Sequence, residues 1–251
     1  MLRVGIIGAA WGAFAHLPAW RAVAGVDVVA ICTSRRETAE AAASRLGIAR
    51  AFHDAEAMCR DADIDIVDCG SRPNLRERWV LAALEAGKHV YDAVPFAASF
   101  DGARRLAAAQ KTSGAVGVVD AFSQWLPQFR LLKERLDDGA LGAPFGGSCR
   151  FALSLFNRPD PRFPYAWFAE AGTGVSALRN LGSHALHLLL HLFGPIDAVV
   201  ADDRIALATW TYPDGATRAA RNPDLAHAIL RFRSGLVMTL QTSWSAAAGE
   251  G

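Results

Sequence analysis

The sequence has no excess of either charge, no long apolar run and no closely spaced pair of cysteines. Its 26 basic and 25 acidic residues give a formal net charge of +1. Because no basic patch is visible, neither nucleic acid nor an anionic membrane is expected as a partner. No stretch reaches the roughly 18 apolar residues that a membrane-spanning helix needs. We therefore predict a soluble protein.

The cysteines are widely spaced, and none belongs to a C-x-x-C motif: Cys32, Cys59, Cys69 and Cys149. Three of them lie in apolar or strand-like segments, where a thiol usually packs as a small hydrophobic group. This pattern predicts neither a disulfide nor a metal–thiolate site. The first strand is predicted to begin near Leu2, which leaves no room for a cleavable leader. The cytoplasm is the expected location.

Residues 1–120 alternate short β-branched segments with helical patterns, and 52% of the whole sequence is apolar. This alternation predicts βαβ units that form a parallel sheet with helices on both faces. The predicted strands are Arg3–Gly8, Val26–Thr33, Ala51–His53, Ile64–Gly70, His89–Asp92 and Val116–Val119. The predicted helices are Ala10–Ala24, Arg36–Leu46, Asp54–Arg60, Leu75–Ala86 and Phe100–Ser113.

Residues 121–251 follow a different pattern and are predicted to form a second, α+β domain with an open, largely antiparallel sheet. The predicted helices are Gln124–Asp138 and Ala177–Phe193, and the predicted strands are Gly147–Phe156, Ala198–Ile205, His227–Phe232 and Leu236–Ser243. The short turn between the last two strands indicates an antiparallel pair. Because the sequence stops soon after a strand, the sheet edge would be exposed, and we expect this domain to be incomplete.

A turn of small residues joins the first predicted strand to the first helix, in the segment Gly8-Ala9-Ala10-Trp11-Gly12-Ala13. Such a turn holds backbone N–H groups and the positive end of a helix against a pyrophosphate. Interpreted as G-x-G-x-x-A, it has Gly8 for the turn and Ala13 for close helix packing, while Ala10 replaces the middle glycine. We take Gly8, Ala10, Trp11, Gly12 and Ala13 as predicted phosphate-binding residues. The alternative is an ordinary βα turn.

The second predicted strand runs into Thr33-Ser34-Arg35-Arg36, without an acidic residue. An acid at this place binds a ribose diol, whereas a hydroxyl and an arginine suit a 2′-phosphate. Ser34 and Arg35 therefore favour NADP as the cofactor, with NAD as the alternative. Otherwise Arg35 and Arg36 would only begin a solvated helix.

Four segments resemble the motifs of one enzyme family: Val4–Gly8, Leu81–Val90, Gly139–Gly142 and Leu181–Leu186. Together they resemble the Gfo/Idh/MocA oxidoreductases, the family of glucose-fructose oxidoreductase and inositol dehydrogenase. The resemblance implies an N-terminal Rossmann domain and a C-terminal α/β domain whose open sheet forms a homo-oligomer interface. It also implies that further residues normally follow Gly251.

The sequence departs from the family at the motifs that carry the chemistry. In the family, Glu-Lys-Pro follows Gly-Lys-His-Val, and its lysine orients or protonates the reacting oxygen. Here the corresponding segment is Tyr91-Asp92-Ala93-Val94-Pro95, in which Ala93 stands at the family's Glu position and Val94 at its Lys position. The family motif Asp-x-Gly-x-His-x-x-Asp reads Asn180-Leu181-Gly182-Ser183-His184-Ala185-Leu186-His187. The family motif Thr-Pro-Pro-x-x-His reads Ser71-Arg72-Pro73-Asn74-Leu75-Arg76, and Ser71, Arg72 and Pro73 are the predicted cofactor contacts.

The sequence contains only three lysines, Lys88, Lys111 and Lys133, and none is well placed to replace the missing one. Lys88 precedes a strand, at the end of the sheet opposite the ligand-binding end. The other two lie on predicted exposed helix faces. The ammonium donor of the family is therefore absent.

His184 is the strongest remaining acid or base, because an imidazole with a pKa of about 6.5 exchanges a proton at neutral pH. Alternatively, it packs at the start of its helix. Tyr91 and Asp92 end a parallel strand, where doubly wound folds bind ligands, and are predicted to supply a phenol donor and a carboxylate. Asn180 is assigned to positioning a substrate hydroxyl, and His187 to lining the substrate cleft.

His184, His187 and His191 share one helix face, as zinc ligands would. No acidic ligand has a suitable spacing and the rings would have to converge across two turns, so no metal is predicted. Arg72, Arg76 and Arg179 are candidates for binding an anionic substrate, against surface or ion-pairing roles. One aromatic set either lines the substrate pocket or packs in the core: Phe156, Phe163, Tyr165, Trp167 and Phe168.

The sequence thus predicts an NAD(P)-dependent oxidoreductase with atypical proton-transfer groups, acting on a sugar-like or other small hydroxy or carbonyl compound. Hydride transfer belongs to the cofactor, so the missing lysine slows such a reaction without abolishing it. Two alternatives keep the same fold. One is a non-redox enzyme, such as a lyase, isomerase or cyclase, and the other is a catalytically silent relative that binds a nucleotide or a partner.

Overall fold

The computed structural model describes residues 1 to 246, and its first unit, Met1–Asp120, contains a sheet of six parallel strands. These strands are β1 Leu2–Ile7, β2 Val26–Cys32, β3 Arg50–Phe52, β4 Ile66–Cys69, β5 His89–Asp92 and β6 Gly117–Val119. Their order is β3-β2-β1-β4-β5-β6, so the order reverses between β1 and β4. In such a sheet ligands bind outside the carboxyl ends of the strands, at the point of reversal.

Helices connect these strands and cover both faces of the sheet, as the sequence predicts. They are α1 Leu17–Arg21, α2 Arg36–Leu46, α3 Ala55–Cys59, α4 Pro73–Glu85 and α5 Phe100–Ser113. Along β1, Val4 and Ile6 belong to the core cluster that contains residues of α1 and α2, whereas Ile7 belongs to the cluster that contains residues of α3, α4 and α5. The strands therefore have apolar side chains on both faces.

The first helix is shorter than the predicted Ala10–Ala24. A π-helical turn, Gly12–His16, precedes α1, and the Leu17 N–H bonds to the Gly12 carbonyl five residues back. Pro18 has no N–H to donate to the Phe14 carbonyl, so a regular α-helix cannot run through this segment. The turn ends at His16, whose side chain is buried.

Cys32, Cys59 and Cys69 are buried free thiols in one core cluster of the first unit. Burial raises the pKa of Cys32 and of Cys59 to about 12. These thiols therefore pack as hydrophobic groups, as expected from the sequence.

The second unit begins at Ala121 and contains a four-stranded mixed sheet in the order β7-β12-β11-β8. The strands are β7 Gly146–Ala152, β8 Ile196–Arg204, β11 Leu225–Phe232 and β12 Val237–Ser243. β11 is antiparallel to both of its neighbours, which confirms the predicted pairing with β12, and β7 is parallel to β12. Helix α7, Ser183–Phe193, packs on one face of this sheet through Ala185 and Leu189.

Several features of the second unit differ from the sequence prediction. β7 ends at Ala152 and not at the predicted Phe156, and α7 begins at Ser183 and not at Ala177. Helix α6 spans Pro127–Asp137 and not Gln124–Asp138, because the residue before a proline avoids helical backbone, and Leu126 is extended. A short hairpin, β9 Thr209–Thr211 and β10 Thr217–Ala219, was not predicted. Its strands are only three residues long and too short to show an alternating pattern.

An aromatic core cluster fills the space next to this hairpin. The Phe156 ring stacks on that of Trp210 with centroids 4.2 Å apart, and the Trp210 ring meets that of Trp244 edge-on at 5.8 Å. Both tryptophans are fully buried. None of the helices in the described residues is long and apolar enough to cross a membrane.

Candidate functional site

The turn after β1 is shaped by glycines that leave no room for a Cβ atom. Gly8 has a φ of +110°, and a Cβ there would lie 3.1 Å from the carbonyl oxygen of Gly70. A Cβ on Gly12 would lie 2.7 Å from Cγ2 of Ile6, and one on Gly70 would lie 3.1 Å from the backbone of Gly12. The turn after β1 and the residue after β4 therefore approach each other closely, at the point where the strand order reverses.

The close packing predicted for Ala13 is made by Gly12 instead. Gly12 is buried against β1, whereas Ala13 is half-buried. Ala10 is exposed, so the turn accommodates its methyl group without a contact in the core. Trp11 is half-buried, with its ring 5.8 Å from that of Phe14.

The segment after β2 is fixed by two hydroxyl groups. Oγ1 of Thr33 lies 3.0 Å and Oγ1 of Thr38 lies 2.9 Å from the carbonyl oxygen of Arg35. Ser34 and Arg35 are both exposed, next to the carboxyl end of β2. This is the place where a doubly wound fold meets the adenosine ribose.

The third predicted contact segment follows β4. The Oγ atom of Ser71 is buried and has no hydrogen-bond partner among the described residues. Pro73 is the first residue of α4, whose opening N–H groups lack intrahelical partners. An orphaned hydroxyl beside the glycine turn suits a polar ligand, and the residues present therefore fit a dinucleotide.

Asp92 does not offer a free carboxylate at the end of β5. It is 4% exposed, and Nη1 of Arg76 lies 2.7 Å from its Oδ1. The same guanidinium also donates to the backbone carbonyls of Ala93 and Pro95. Burial raises the pKa of Asp92 to about 7, while Arg76 acts to lower it.

Arg76 consequently holds the segment that corresponds to Glu-Lys-Pro in the family, and it does not face a ligand. Its side chain is 1% exposed. This corrects the suggestion that Arg76 binds an anionic substrate and changes the expectation for Asp92, because the two charges neutralise each other in the interior.

A second buried charge cluster joins the first helical turn to the sheet. Nδ1 of His16 lies 2.8 Å from Oδ1 of Asp68 in β4, and Nε1 of Trp20 donates to Oδ2 of Asp68 at 2.7 Å. Nε2 of His16 lies 3.4 Å from Oδ2 of Asp120, at ion-pair distance but outside hydrogen-bond geometry. Burial lowers the pKa of His16, but Asp120 and Asp68 raise it more strongly, to about 9.

Tyr91 belongs to the same cluster. Its hydroxyl donates to Oδ1 of Asp120 at 2.6 Å, and its ring meets the rings of His16 and Trp20 edge-on. Burial, with a further contribution from Asp120, raises the pKa of Tyr91 far above its ordinary value. The phenol is therefore neutral, and its proton already points at Asp120.

The cluster of His16, Asp68 and Asp120 was not predicted from the sequence. One signal was available, because Asp68 is a charged residue inside an otherwise apolar strand. Such a residue needs a buried partner. The sequence could not identify that partner, since His16 is 52 positions away and is brought to Asp68 by the fold.

No lysine of the described residues lies at the carboxyl ends of β4 to β6. Val94, at the family's lysine position, is half-buried. Lys88 precedes β5, and its Nζ donates to the carbonyls of Asp61 and Ile64 at 2.8 and 2.7 Å. Lys111 lies near the end of α5, and Lys133 pairs with an aspartate on α6.

The predicted site residues of the second unit cluster around the start of α7. A π-helical turn, Leu178–Gly182, contains Asn180, and α7 contains His184 and His187. All three side chains are half-buried, and burial lowers the pKa of His187. The ring of His184 lies 5.3 Å from that of Phe122.

Trp167 lies in a single 3₁₀ turn, Ala166–Ala169, at the border of the aromatic core cluster. Its ring lies 4.4 Å from that of Phe168, which is itself 5% exposed. Trp167 is half-buried, whereas Phe156 and Phe168 are buried in the core. Core packing therefore accounts for Phe156 and Phe168.

The strand order and the glycine turn define a Rossmann fold, the class of fold that binds a dinucleotide at this edge of the sheet. Residues 2–121 match the model of the oxidoreductase family with an NAD-binding Rossmann fold, and residues 129–251 match the GFO/IDH/MocA C-terminal domain. The chain belongs to the Gfo/Idh/MocA family, as the resemblance of its motifs implied.

Curated relatives include sugar and inositol dehydrogenases. The chain is 30% identical to D-apiose dehydrogenase of Paraburkholderia graminis over 96% of its own length and 60% of that protein. It is 28% identical to scyllo-inositol 2-dehydrogenase (NADP(+)) of Bacillus subtilis over 80% of its own length and 54% of that protein. The chain thus spans little more than half the length of these relatives.

Solved structures share the fold over nearly the whole chain. An NAD-binding oxidoreductase from Klebsiella pneumoniae has a TM-score of 0.86 and 28% identity, covering 98% of this chain and 68% of that one. An oxidoreductase domain protein from Kribbella flavida has a TM-score of 0.88 and 24% identity, covering 98% of this chain and 69% of that one. The second likeness concerns the fold alone.

Proposed function

We propose that the protein is an NAD(P)-dependent oxidoreductase that acts on a small sugar-like or other hydroxy or carbonyl compound. The observation that carries the proposal is the close approach of Gly8, Gly12 and Gly70 at the point where the strand order reverses. The dehydrogenase relatives, whose names identify sugars and an inositol as substrates, support the substrate class.

The cofactor-binding residues of this proposal come from the three segments that border the glycine turn. They are Gly8, Ala10, Trp11, Gly12, Ala13, Ser34, Arg35, Ser71, Arg72 and Pro73. When bound, the nicotinamide supplies the hydride acceptor or donor. Backbone N–H groups at the start of the first helical turn bind the phosphates, because the helix end is positive.

On the substrate side, we assign His184 to a hydrogen bond with the substrate, because its imidazole is half-buried at the start of α7. Asn180 and His187 orient hydroxyl groups, and Trp167 provides an apolar face for a sugar ring. Tyr91 contributes through its hydrogen bond to Asp120 rather than as a direct donor.

Binding of the dinucleotide is tested by titrating the purified protein with NADPH and NADP while tryptophan fluorescence is recorded. Gly12→Ala should weaken binding at least tenfold, because the new Cβ must displace Ile6 or the turn. Gly146→Ala is the matched control, since its Cβ would have no neighbour closer than 3.8 Å. Wild-type protein that binds neither nucleotide, and binds neither NADH nor NAD under the same conditions, contradicts the proposal.

We further propose that NADP is preferred over NAD, supported by the exposed Ser34 and Arg35 at the end of β2. A charge-assisted hydrogen bond contributes roughly 1.5–3 kcal/mol, so Arg35→Ala should reduce the NADP over NAD preference at least tenfold. Arg36→Ala is the control at the neighbouring position. Equal affinities of the wild type for the two nucleotides would contradict the preference.

A non-redox lyase, isomerase or cyclase on the same fold is the second candidate, favoured by Val94 at the position of the family's lysine. The two candidates are separated by absorbance at the reduced nicotinamide band with D-apiose and scyllo-inositol as probes. Turnover supports the oxidoreductase, whereas product formation without a net change in nicotinamide supports the alternative. If the protein binds a nucleotide and converts none of the probes, the catalytically silent alternative is supported.

A homo-oligomer formed through the second sheet remains part of the proposal. Val200 and Ile229 pair directly across β8 and β11 and are 73% and 52% exposed. Light scattering on Val200→Lys tests it, with a loss of the oligomer as the expected result. The cytoplasmic location stays a prediction from the sequence.

A further inference from the structure

Three carboxylates lie at or near the carboxyl ends of β4, β5 and β6, and they differ in accessibility. The side chain of Asp68 is 0% exposed and that of Asp92 is 5% exposed, and each is held by a buried basic group. Asp120 directly follows β6 and is 13% exposed. Among the described residues it is therefore the carboxylate of this edge that a ligand can contact.

Asp120 is held from two sides by groups of two different elements. The Tyr91 hydroxyl from β5 donates to Oδ1, and Nε2 of His16 faces Oδ2 at 3.4 Å. Asp68 in β4 fixes the His16 ring through Nδ1, and Trp20 in turn donates to Asp68. Each carboxylate oxygen of Asp120 keeps a second lone pair for a further hydrogen bond.

We propose that Asp120 is the group that exchanges the proton of the substrate hydroxyl in place of the missing lysine, with His16 and Tyr91 as positioning residues. This inference rests on the proposed function. It replaces a mobile ammonium group with a carboxylate whose orientation is set by a buried imidazole and a phenol.

In the oxidative direction the substrate C–H bond breaks, and a bound oxidised nicotinamide would accept its electron pair as hydride. The O–H bond breaks, its electron pair forms the second bond of the carbonyl, and its proton passes to Asp120. Asp120 then releases the proton to water, while His16 and Tyr91 keep theirs. The reverse sequence donates the proton during reduction.

The central test compares Asp120→Asn with the control Asp101→Asn. Asp101 is an exposed carboxylate in the first turn of α5. General acid–base catalysis contributes roughly 10²–10⁴-fold, so Asp120→Asn should lower kcat/KM by about 100-fold or more. The NADPH dissociation constant should change less than twofold. Asp120→Glu should recover part of the loss, and Tyr91→Phe should lower kcat with little change in KM and shift the pH profile.

A readout independent of turnover is the titration of the His16 ring, followed by ¹⁵N NMR. In Asp120→Asn the His16 pKa should fall below its wild-type value, because one of the two facing carboxylates has lost its charge. An unchanged His16 titration overturns the cluster as described. If the wild type turns over a substrate and the activity of Asp120→Asn is within threefold of the wild-type activity, the role of Asp120 is overturned. The proposed function then stays intact. Failure of the wild type to bind either NADPH or NADH contradicts the proposed function itself.

Discussion

The two units of the chain bury polar side chains in different ways. In the first unit the buried groups are charged and pair with each other, as Arg76 with Asp92 and His16 with Asp68. In the second unit Asn222 and Asp224 are buried but bind mainly the backbone of neighbouring loops. Buried charged side chains thus neutralise each other in the first unit, whereas buried polar side chains form hydrogen bonds with the backbone in the second unit.

This difference separates side chains that belong to the candidate site from side chains that stabilise the fold. A buried ion pair contributes little net stability, because desolvation offsets the attraction between the charges. Asp224 instead satisfies the N–H groups of Ala206 and Leu207, whose loss would leave buried donors unpaired. We therefore infer that the paired charges at the carboxyl edge of the first sheet serve function, while the buried polar groups of the second unit serve stability.

Breaking the Arg76 pair should have the largest effect. Arg76→Met leaves Asp92 and two carbonyls without their partner, and removing one member of a buried pair costs roughly 3–5 kcal/mol. The free energy of unfolding in urea measures the loss. Arg76→Met combined with Asp92→Leu should recover part of it, because the buried carboxylate is then gone while the two carbonyls still lack their donor. Equal losses in the single and double variants would show that charge pairing is not the cause.

The second largest effect is expected when the pH is raised, because the stabilising contribution of the His16 cluster is then lost. His16 has a native pKa of about 9 against an ordinary 6.5, so its contribution is complete below pH 6.5 and is lost as pH rises through 9. The shift corresponds to roughly 3 kcal/mol. Urea unfolding at pH 6 and pH 9.5 measures it. His16→Gln should show a clearly smaller fall over this interval, and an equal fall would exclude His16 as its source.

Removing Asp224 should test the scaffold side of the comparison. Asp224→Ala leaves the N–H groups of Ala206 and Leu207 and the indole N–H of Trp210 without an acceptor, at an expected cost of about 2 kcal/mol. Asp214→Ala is the control, because Asp214 is exposed and accepts a hydrogen bond from the Ala216 N–H. NADPH affinity should stay unchanged in both variants, and a selective loss in Asp224→Ala would contradict the division of roles.

The smallest effect is expected where charges pair on the surface. Lys133 and Asp137 form an i, i+4 pair on α6, and Asp137 is exposed. Lys133→Ala should change the free energy of unfolding by less than about 0.5 kcal/mol, because solvent screens such pairs. A loss approaching that of Asp224→Ala would show that burial is not what distinguishes these charges.

Much of the fold is predictable from the sequence because it follows local patterns. Apolar strands between Ala-rich helices predict a parallel sheet with both faces covered, and α2 and α5 begin and end at the predicted residues. The π-helical turn ending at His16 does not follow a local pattern, since it depends on Pro18 and on the contact of His16 with β4. The hairpin of β9 and β10 is too short to produce a pattern.

The site is predictable only in part, and for the same physical reason. Gly8 and Gly12 are close to a strand end, so the sequence identifies the turn, and Val94 at the family's lysine position is visible in the sequence as well. The tertiary structure alone decided which charges meet: Asp68 with His16, Arg76 with Asp92, and Tyr91 with Asp120. These partners are between 16 and 52 positions apart in the chain, and only the folded sheet brings their side chains within hydrogen-bond distance.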